Sequence, residues 1–291
     1  MMEKILNYID GELVEPTSGK YLDNYNPSNG QVYSLIPDSE KLDIDNAVKS
    51  AKKAFTTWSK TPKQERSNIL MKLADAIENH AEALIKAESK DNGKPETLAA
   101  HVDIPRAPAN IRFFAGAILH DSSEMHEMDG MAINYTLRQP VGVAACISPW
   151  NLPLYLLTWK VAPALAAGNT VVIKPSENTP LSIMRWLEVA CDHLPIGIIN
   201  MITGDGLTGS YLVEHPVTRV IAFTGSVDTG IKIAKMAAEQ LKKTSLELGG
   251  NDPIIICDDV DLEIAARGTT WGGLLNAGQV CTSLERVFVM D

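Results

Sequence analysis

The sequence predicts an α/β fold, a doubly wound parallel sheet covered by helices on both faces. Three observations predict it. Short apolar runs at 141–147, 170–174, 197–202, 219–223 and 244–248 alternate with helical stretches near 153–167, 180–193, 205–214 and 227–243. The runs are apolar almost throughout instead of alternating with polar residues, as strands buried on both faces are. Residues with chemistry to offer follow the runs, at the carboxyl ends of strands, where ligands bind in such sheets.

Before this region the chain is turn-rich over residues 1–40 (Asp10-Gly11, Asn26-Pro27, Asn29-Gly30) and is expected to be an arm lying on the body. From Ile44 the residues Ala47, Val48, Ala51, Ala54, Phe55 and Trp58 fall on one helical face. Thr61-Pro62-Lys63-Gln64 reads as an N-cap, a proline at the first helical position and a capping-box Gln, opening a helix that buries Ile69, Leu70, Leu73, Ala74 and Ile77. A further helix near 81–90 stops at Asp91-Asn92-Gly93. Another begins near Ile104-Pro105-Arg106 and carries Ile111, Phe113, Phe114, Ile118 and Leu119. Residues 131–138 alternate loosely and predict an exposed strand. Gly168 and Thr179-Pro180 supply a stop and a start signal inside the alternating region.

A chain of 291 residues, 45% hydrophobic and 21% charged, has room for two domains or one large one. Its net charge of −10 and pI near 5.1 argue against nucleic acid or a polybasic membrane contact. A nucleotide can still be held locally by backbone N–H groups and one or two lysines. Cys146, Cys191, Cys257 and Cys281 show neither close pairing nor metal-ligand spacing, and the amino terminus carries no basic-plus-apolar leader, so the expectation is a reducing, cytoplasmic chain without a metal. The stretch from Val141 to Trp159 is uncharged, but Pro149, Asn151 and Pro153 interrupt it. It is expected to be buried strand, loop and buried helix, not a membrane span.

The residues after the strands admit two readings each. Asn151, in Ser148-Pro-Trp-Asn-Leu-Pro153, either belongs to an ordinary strand-to-helix turn or presents its amide to an anionic oxygen. Lys174 and Glu177, in Lys-Pro-Ser-Glu, are either a solvated pair or a ribose clamp, and in the second case the carboxylate repels a 2′-phosphate and selects NAD over NADP. Phe223-Thr-Gly225-Ser226-Val-Asp-Thr229-Gly230 opens a helix with small residues that let a pyrophosphate approach its N-terminus, though it lacks the GxGxxG spacing. Glu247, in Leu-Glu-Leu-Gly-Gly, is either a rim carboxylate or, if buried, a base of raised pKa. Cys281, in Asn276-Ala-Gly-Gln-Val-Cys-Thr, is either a small buried hydrophobe or a thiol shown to a cleft by a loop that follows a helix ending near Ala277-Gly278.

Together, Ser-Pro-Trp-Asn, Lys-Pro-Ser-Glu, Phe-Thr-Gly-Ser, Leu-Glu-Leu-Gly-Gly and Gly-Gln-Val-Cys, in this order, resemble the NAD(P)-dependent aldehyde dehydrogenase superfamily over essentially the whole chain. The resemblance implies a Rossmann-like domain binding NAD, with Cys281 as nucleophile, Glu247 as general base and Asn151 as oxyanion donor. It implies cofactor contacts from Ile147, Pro149, Trp150, Lys174, Ser176, Glu177, Gly204, Gly225, Ser226, Thr229 and Leu248. It further implies a nucleotide domain of residues 1–121 and 141–249, protruding strands over 122–140 used in homo-oligomerisation, and a catalytic domain starting near 250. Asp103-Ile-Pro-Arg106, Asn110-Ile-Arg-Phe-Phe-Ala115 and the stretch from Pro149 to Trp159 resemble the branch that oxidises 2-aminomuconic and 2-hydroxymuconic semialdehydes, for which Arg106 is a bidentate carboxylate anchor.

The chain departs from that pattern by stopping shortly after Cys281, without the remainder of the catalytic domain. The expectation is the amino-terminal part of a longer enzyme, with a last strand that has no sheet to complete and a segment from 250 too short to bury a core. Two alternatives stand beside an acid-forming dehydrogenase. One is a non-catalytic NAD-binding fragment, against which the retained set of Cys281, Glu247 and Asn151 argues. The other is a CoA-acylating enzyme, disfavoured by Glu247, since a water-activating base competes with thiol transfer.

Overall fold

The computed structural model describes residues 2–290. The first forty residues form five short strands: β1 (Glu3–Lys4), β2 (Asn7–Ile9), β3 (Glu12–Val14), β4 (Tyr21–Asn26) and β5 (Gln31–Pro37). Asp10 and Gly11 join β2 to β3 with φ of 54° and 89°, the left-handed backbone that a two-residue hairpin turn requires. The arm does more than lie on the body. β2 pairs antiparallel with the main sheet through Tyr8 and Met201, while β1, β5 and β4 form a separate three-stranded sheet.

Four helices follow: α1 (Lys41–Trp58), α2 (Lys63–Asn79), α3 (Ala81–Asn92) and the single turn α4 (Glu96–Leu98). A π-helical turn, Ala99–Asp103, then leads into α5 (Ile104–Ala117). α1 buries Ile44, Ala47, Val48, Ala51 and Trp58 as its spacing predicts. The expected N-cap of α2 at Thr61 is not formed. Pro62 precedes the helix with no side-chain cap, Gln64 donates to Asn68 at 3.0 Å, and the Thr61 carbonyl is taken by the buried Arg66 guanidinium. α3 does stop at Gly93, where φ is 80°. In α5, Ile111 and Ala115 are buried, but Phe113 stays 62% exposed because a two-residue step turns it to the far side of the helix. Leu119, expected within this helix, lies past the end of α5 in a 3-10 turn and is exposed.

The predicted exposed strand appears as β7 (Ala132–Tyr135), paired with β6 (Met125–Met128) in a hairpin whose strand residues are all exposed. The alternating region follows as β8 (Val143–Ile147), α6 (Pro153–Ala166), β9 (Thr170–Lys174), α7 (Leu181–Ala190), β10 (Ile199–Met201), α8 (Gly206–Glu214), β11 (Thr218–Thr224), α9 (Val227–Ala238) and β12 (Lys243–Glu247). α9 is shorter than expected, since Leu241 turns left-handed at φ 50°.

The main sheet runs β12-β11-β8-β9-β10-β2-β3, with the first five strands parallel. From β8 the chain winds outward through β9 and β10, then returns to the other side of β8 for β11 and β12. The switch point therefore lies between β8 and β11, where the crevice of a doubly wound sheet opens. Alternate residues of β8 and β9 feed opposite cores. Ala144, Cys146, Val171 and Ile173 pack towards α2, α5, α6 and α7, whereas Val143, Ala145, Ile147 and Val172 pack towards α1, α8 and α9. The uncharged stretch is thus β8, a loop and the first half of α6, and among the described residues no helix is long and apolar enough to cross a membrane.

The chain ends in β13 (Asp252–Ile256), α10 (Leu262–Leu274) and β14 (Leu284–Val289). The last strand, expected to have no sheet to complete, pairs in parallel with β13 in a two-stranded sheet; Asp291 lies outside the described residues. This pair gathers almost no core, since of residues 250–290 only Asn276 and Ser283 are buried.

Candidate active site

Two loops meet beyond the carboxyl end of β8. In the first, the Asn151 carbonyl accepts hydrogen bonds from Lys94 Nζ at 2.9 Å, Asn276 Nδ2 at 3.2 Å and Asn92 Nδ2 at 3.4 Å. The Asn151 amide nitrogen donates to the Gln279 carbonyl at 2.8 Å, so the side chain faces the second loop. That loop leaves a short 3-10 turn after α10 with Asn276, Ala277 and Gly278 all left-handed, at φ 53°, 58° and 75°. Two of the three are not glycine, a conformation costing roughly 1 kcal/mol or more each. Ser283 fastens its far end, donating from Oγ to the Gly273 carbonyl at 3.1 Å. Between these anchors Cys281 is exposed; the reading as a buried hydrophobe is excluded.

A cavity of about 740 Å³ opens at the switch point and reaches Cys281. Ile147, Pro149, Trp150 and Asn151 line it from β8 and its loop. Lys174, Ser176 and Glu177 line it after β9, Gly225, Ser226 and Thr229 at the start of α9, and Leu248 after β12. Lys174 is buried, its ammonium donating to the Pro175 carbonyl at 3.1 Å and lying 3.4 Å from the Glu177 carboxylate. Burial pushes its pKa down, with Glu177 opposing. Ser226 caps α9, its hydroxyl accepting from the Thr229 N–H at 3.3 Å, and the helix N-terminus opens to the cavity. A size of this order suits a nucleotide. The available groups suit its parts: a helix N-terminus for phosphates, a lysine and a carboxylate for ribose hydroxyls.

Gly204 is the one expected cofactor contact that does not line this cavity. Its φ of 146° and a Cβ position 2.2 Å from Thr208 Oγ1 explain the glycine by the turn into α8. The cavity is completed there by Gly206, Gly209 and Ser210, which the sequence reading missed. The signal available was Asp205, whose carboxylate caps α8 by accepting from the Leu207 N–H at 2.7 Å.

Of the two readings of Glu247, the structure bears out the rim position, since the residue is exposed. Among the described residues β12 is the outer strand of the sheet, paired on one side with β11. Glu247 and Cys281 share a second cavity of about 530 Å³ with Lys160, the only charge in α6 and another residue missed. The Lys160 ammonium donates to the Leu156 carbonyl at 3.1 Å. Burial pulls its pKa down to about 8 against the opposing pull of Cys146, Glu247 and Cys281.

Arg106 lies on a third cavity, of about 580 Å³, which Val280 and Thr282 on either side of the thiol also line. Its guanidinium is exposed and sits 5.9 Å from the centre of the Tyr155 ring, close enough for a cation–π contact. Cys281 thus lines two cavities, and its two neighbours line a third.

The profile of the aldehyde dehydrogenase family matches residues 13–291. The chain is 48% identical over 288 residues to 2-aminomuconic semialdehyde dehydrogenase of Bos taurus, covering 97% of this chain and 58% of the relative. It is 43% identical to 2-hydroxymuconic semialdehyde dehydrogenase of a Pseudomonas species, over 99% of this chain and 61% of the relative. Among solved structures, a putative aldehyde dehydrogenase from Burkholderia cenocepacia superposes with a TM-score of 0.96 at 40% identity, covering 100% of this chain and 60% of that one. The NAD+ complex of an aldehyde dehydrogenase from Bacillus cereus gives the same score and identity, over 99% and 59%. The chain therefore spans about three-fifths of the length of these relatives. With the fold, the order of its motifs and the family profile in agreement, the chain belongs to the aldehyde dehydrogenase family.

Proposed function

We propose that this chain carries the NAD site and the nucleophile of an enzyme that oxidises an aldehyde, specifically a semialdehyde bearing a carboxylate, to the acid. The observation that carries the reading is the pair of hydrogen bonds tying the Asn151 loop to the loop of an exposed Cys281, where the nucleotide-sized cavity ends. Lys174, Glu177 and the α9 N-terminus would hold NAD, with Glu177 disfavouring a 2′-phosphate. When bound, NAD supplies the hydride acceptor.

The remaining chemistry belongs to the chain. The Cys281 thiolate adds to the aldehyde carbon, forming a C–S bond and an oxyanion that the Asn151 amide and the Cys281 N–H stabilise. Hydride loss leaves a thioester on Cys281. Glu247 then takes a proton from water as it attacks, and the C–S bond breaks to release the acid and restore the thiol. Arg106, on the cavity beside the thiol, receives the substrate carboxylate. Residues 250–291 start the catalytic domain, the exposed β6–β7 hairpin is the surface through which copies associate, and the compartment is the cytoplasm.

The test compares wild type with Cys281→Ala, following NADH formation with a carboxylated semialdehyde and NAD binding by calorimetry. NADH should form only in the wild type, with both proteins binding NAD equally. NADH formation by Cys281→Ala at the wild-type rate would remove the thiol from the mechanism. A second reading, an NAD-binding chain without turnover, is favoured by the near absence of burial after residue 250. Binding without NADH formation in the wild type selects it. Product analysis with and without CoA separates acid formation from CoA acylation.

A further inference from the structure

Lys94 belongs to no motif that the sequence reading used, yet it is the most constrained cation near the site. Its side chain is only 1% exposed, and its ammonium lies 2.6 Å from the Asp103 carboxylate and 3.9 Å from Glu88, both with fully buried side chains. The ammonium's remaining hydrogen bond goes to the Asn151 carbonyl at 2.9 Å. Neighbouring Asn92 adds bonds to the Trp150 carbonyl at 2.7 Å and to Asn151 at 3.4 Å. A buried ammonium requires counter-charges and acceptors; here one acceptor is the backbone of the loop that bears the proposed oxyanion donor. Asp103 also ends the π-helical turn, immediately before the helix that carries Arg106.

We infer that Lys94 is a positioning residue: fixed by Asp103, its ammonium holds the Asn151 carbonyl and so sets the direction of the Asn151 amide relative to the Cys281 loop. The inference rests on the proposed oxidation for its consequence but not for its geometry. The Asn151 side chain is short, its Oδ1 is buried and unpartnered and its amide donates to the Gln279 carbonyl, so whether the amide reaches that partner depends on where the backbone is pinned. Lys94 supplies a charged bond there, and Asn276 supplies the link onward to the thiol loop.

The test has two arms. In the first, hydrogen–deuterium exchange of the intact chain is measured for wild type and Lys94→Met, which keeps the apolar stem and removes the donor. Exchange at Gln279 and Ser283, the hydrogen-bonded amides of the thiol loop, should rise about ten-fold while β9 and α7 keep their protection. Unchanged exchange at these two amides, or an equal rise across β9 and α7, overturns the inference. If Lys94→Met does not fold, Lys94→Gln, one bond shorter and so stopping short of the Asn151 carbonyl, takes its place with the same criteria. In the second arm, kcat and KM are measured for Lys94→Met, Asn151→Ala and the double variant. Lys94→Met should lower kcat about 10- to 100-fold with KM for NAD unchanged, as misplacement of a reacting group does. That loss should vanish in the Asn151→Ala background, because Lys94 acts through Asn151. Equal losses in both backgrounds overturn the positioning role. A wild type that forms no NADH refutes the proposed oxidation alone, and the exchange arm then decides the clamp.

Discussion

Glu88 gives the sharpest quantitative prediction, because its chemistry and its burial conflict. It lies in α3, fully buried, with neither carboxylate oxygen in a hydrogen bond. Its nearest cation, Lys94 at 3.9 Å, is already engaged by Asp103 at 2.6 Å. Burial raises the Glu88 pKa from 4.5 to about 7, with Lys94 opposing and Asp103 and Asp91 adding to the rise. Between those two values the folded chain keeps a proton at Glu88 that the unfolded chain has released. Stability from this group is therefore fullest below 4.5 and falls as pH rises through about 7. At about 1.4 kcal/mol per pH unit, the interval amounts to about 3 kcal/mol. Glu88→Gln removes the titration but keeps the shape, and any constant cost of the new amide does not alter the slope. Equilibrium urea unfolding of both proteins across this pH range is the assay. Subtracting one series from the other removes the parallel titration of Asp91, which burial raises to about 6. The variant should gain on the wild type by about 3 kcal/mol from the acid to the alkaline end of the range. A difference that stays constant with pH would refute the reasoning.

Three further predictions concern other parts of the site. Gly204→Ala forces a Cβ to within 2.2 Å of Thr208 Oγ1 at a φ of 146° and should destabilise the chain by about 1–3 kcal/mol in thermal unfolding; an unchanged melting temperature would remove the steric account. Lys174→Met takes away the buried ammonium beside Glu177 and should weaken NAD about ten-fold by calorimetry, without lowering stability, since the buried charge itself is costly. Arg106→Ala should lower kcat/KM for a carboxylated semialdehyde by about 10- to 100-fold, the worth of a charge-assisted bond, and leave an uncharged aldehyde unaffected. Equal losses for both substrates would end the carboxylate role.

The alternating region was legible because each strand of its centre is apolar on both faces, and Gly168 and Pro180 punctuate it cleanly. Positions after strands were legible for the same reason: a strand end in a doubly wound sheet is a place with a known relation to the crevice. What the motifs alone did not show was which neighbour each side chain would meet. The burial of Glu247 could not be judged without knowing that β12 is the sheet's outer strand. Thr61 carries a good capping pattern, but Arg66 takes its carbonyl and also donates to Ala166, one hundred positions away. Gly204 follows a strand as a cofactor glycine should, yet Thr208 is what it accommodates. Lys160 and Lys94 carry no signal in the sequence because a lone lysine in a helix or loop normally reaches water, whereas in the fold both are buried.

The position of the thiol rests mainly on contacts outside its own segment. Residues 250–290 bury only Asn276 and Ser283, so local packing contributes little to holding the left-handed turn at 276–278 in place. Two bonds cross instead to the Asn151 loop, from Asn276 to the Asn151 carbonyl and from Asn151 to the Gln279 carbonyl. That loop is in turn pinned by Lys94, whose pairing with Asp103 lies deep in the first part of the chain. Order thus passes from a buried ion pair to a backbone carbonyl, then to a side-chain amide, and last to an exposed sulfur. Breaking a buried pair costs several kcal/mol, whereas an exposed loop is worth far less, so the stiff end of this chain of contacts governs the soft one. Substitutions at buried Lys94 or Asp103 should therefore slow or speed the reaction of Cys281 with a thiol reagent more than substitutions at exposed apolar residues of its own segment, such as Leu262 or Phe288.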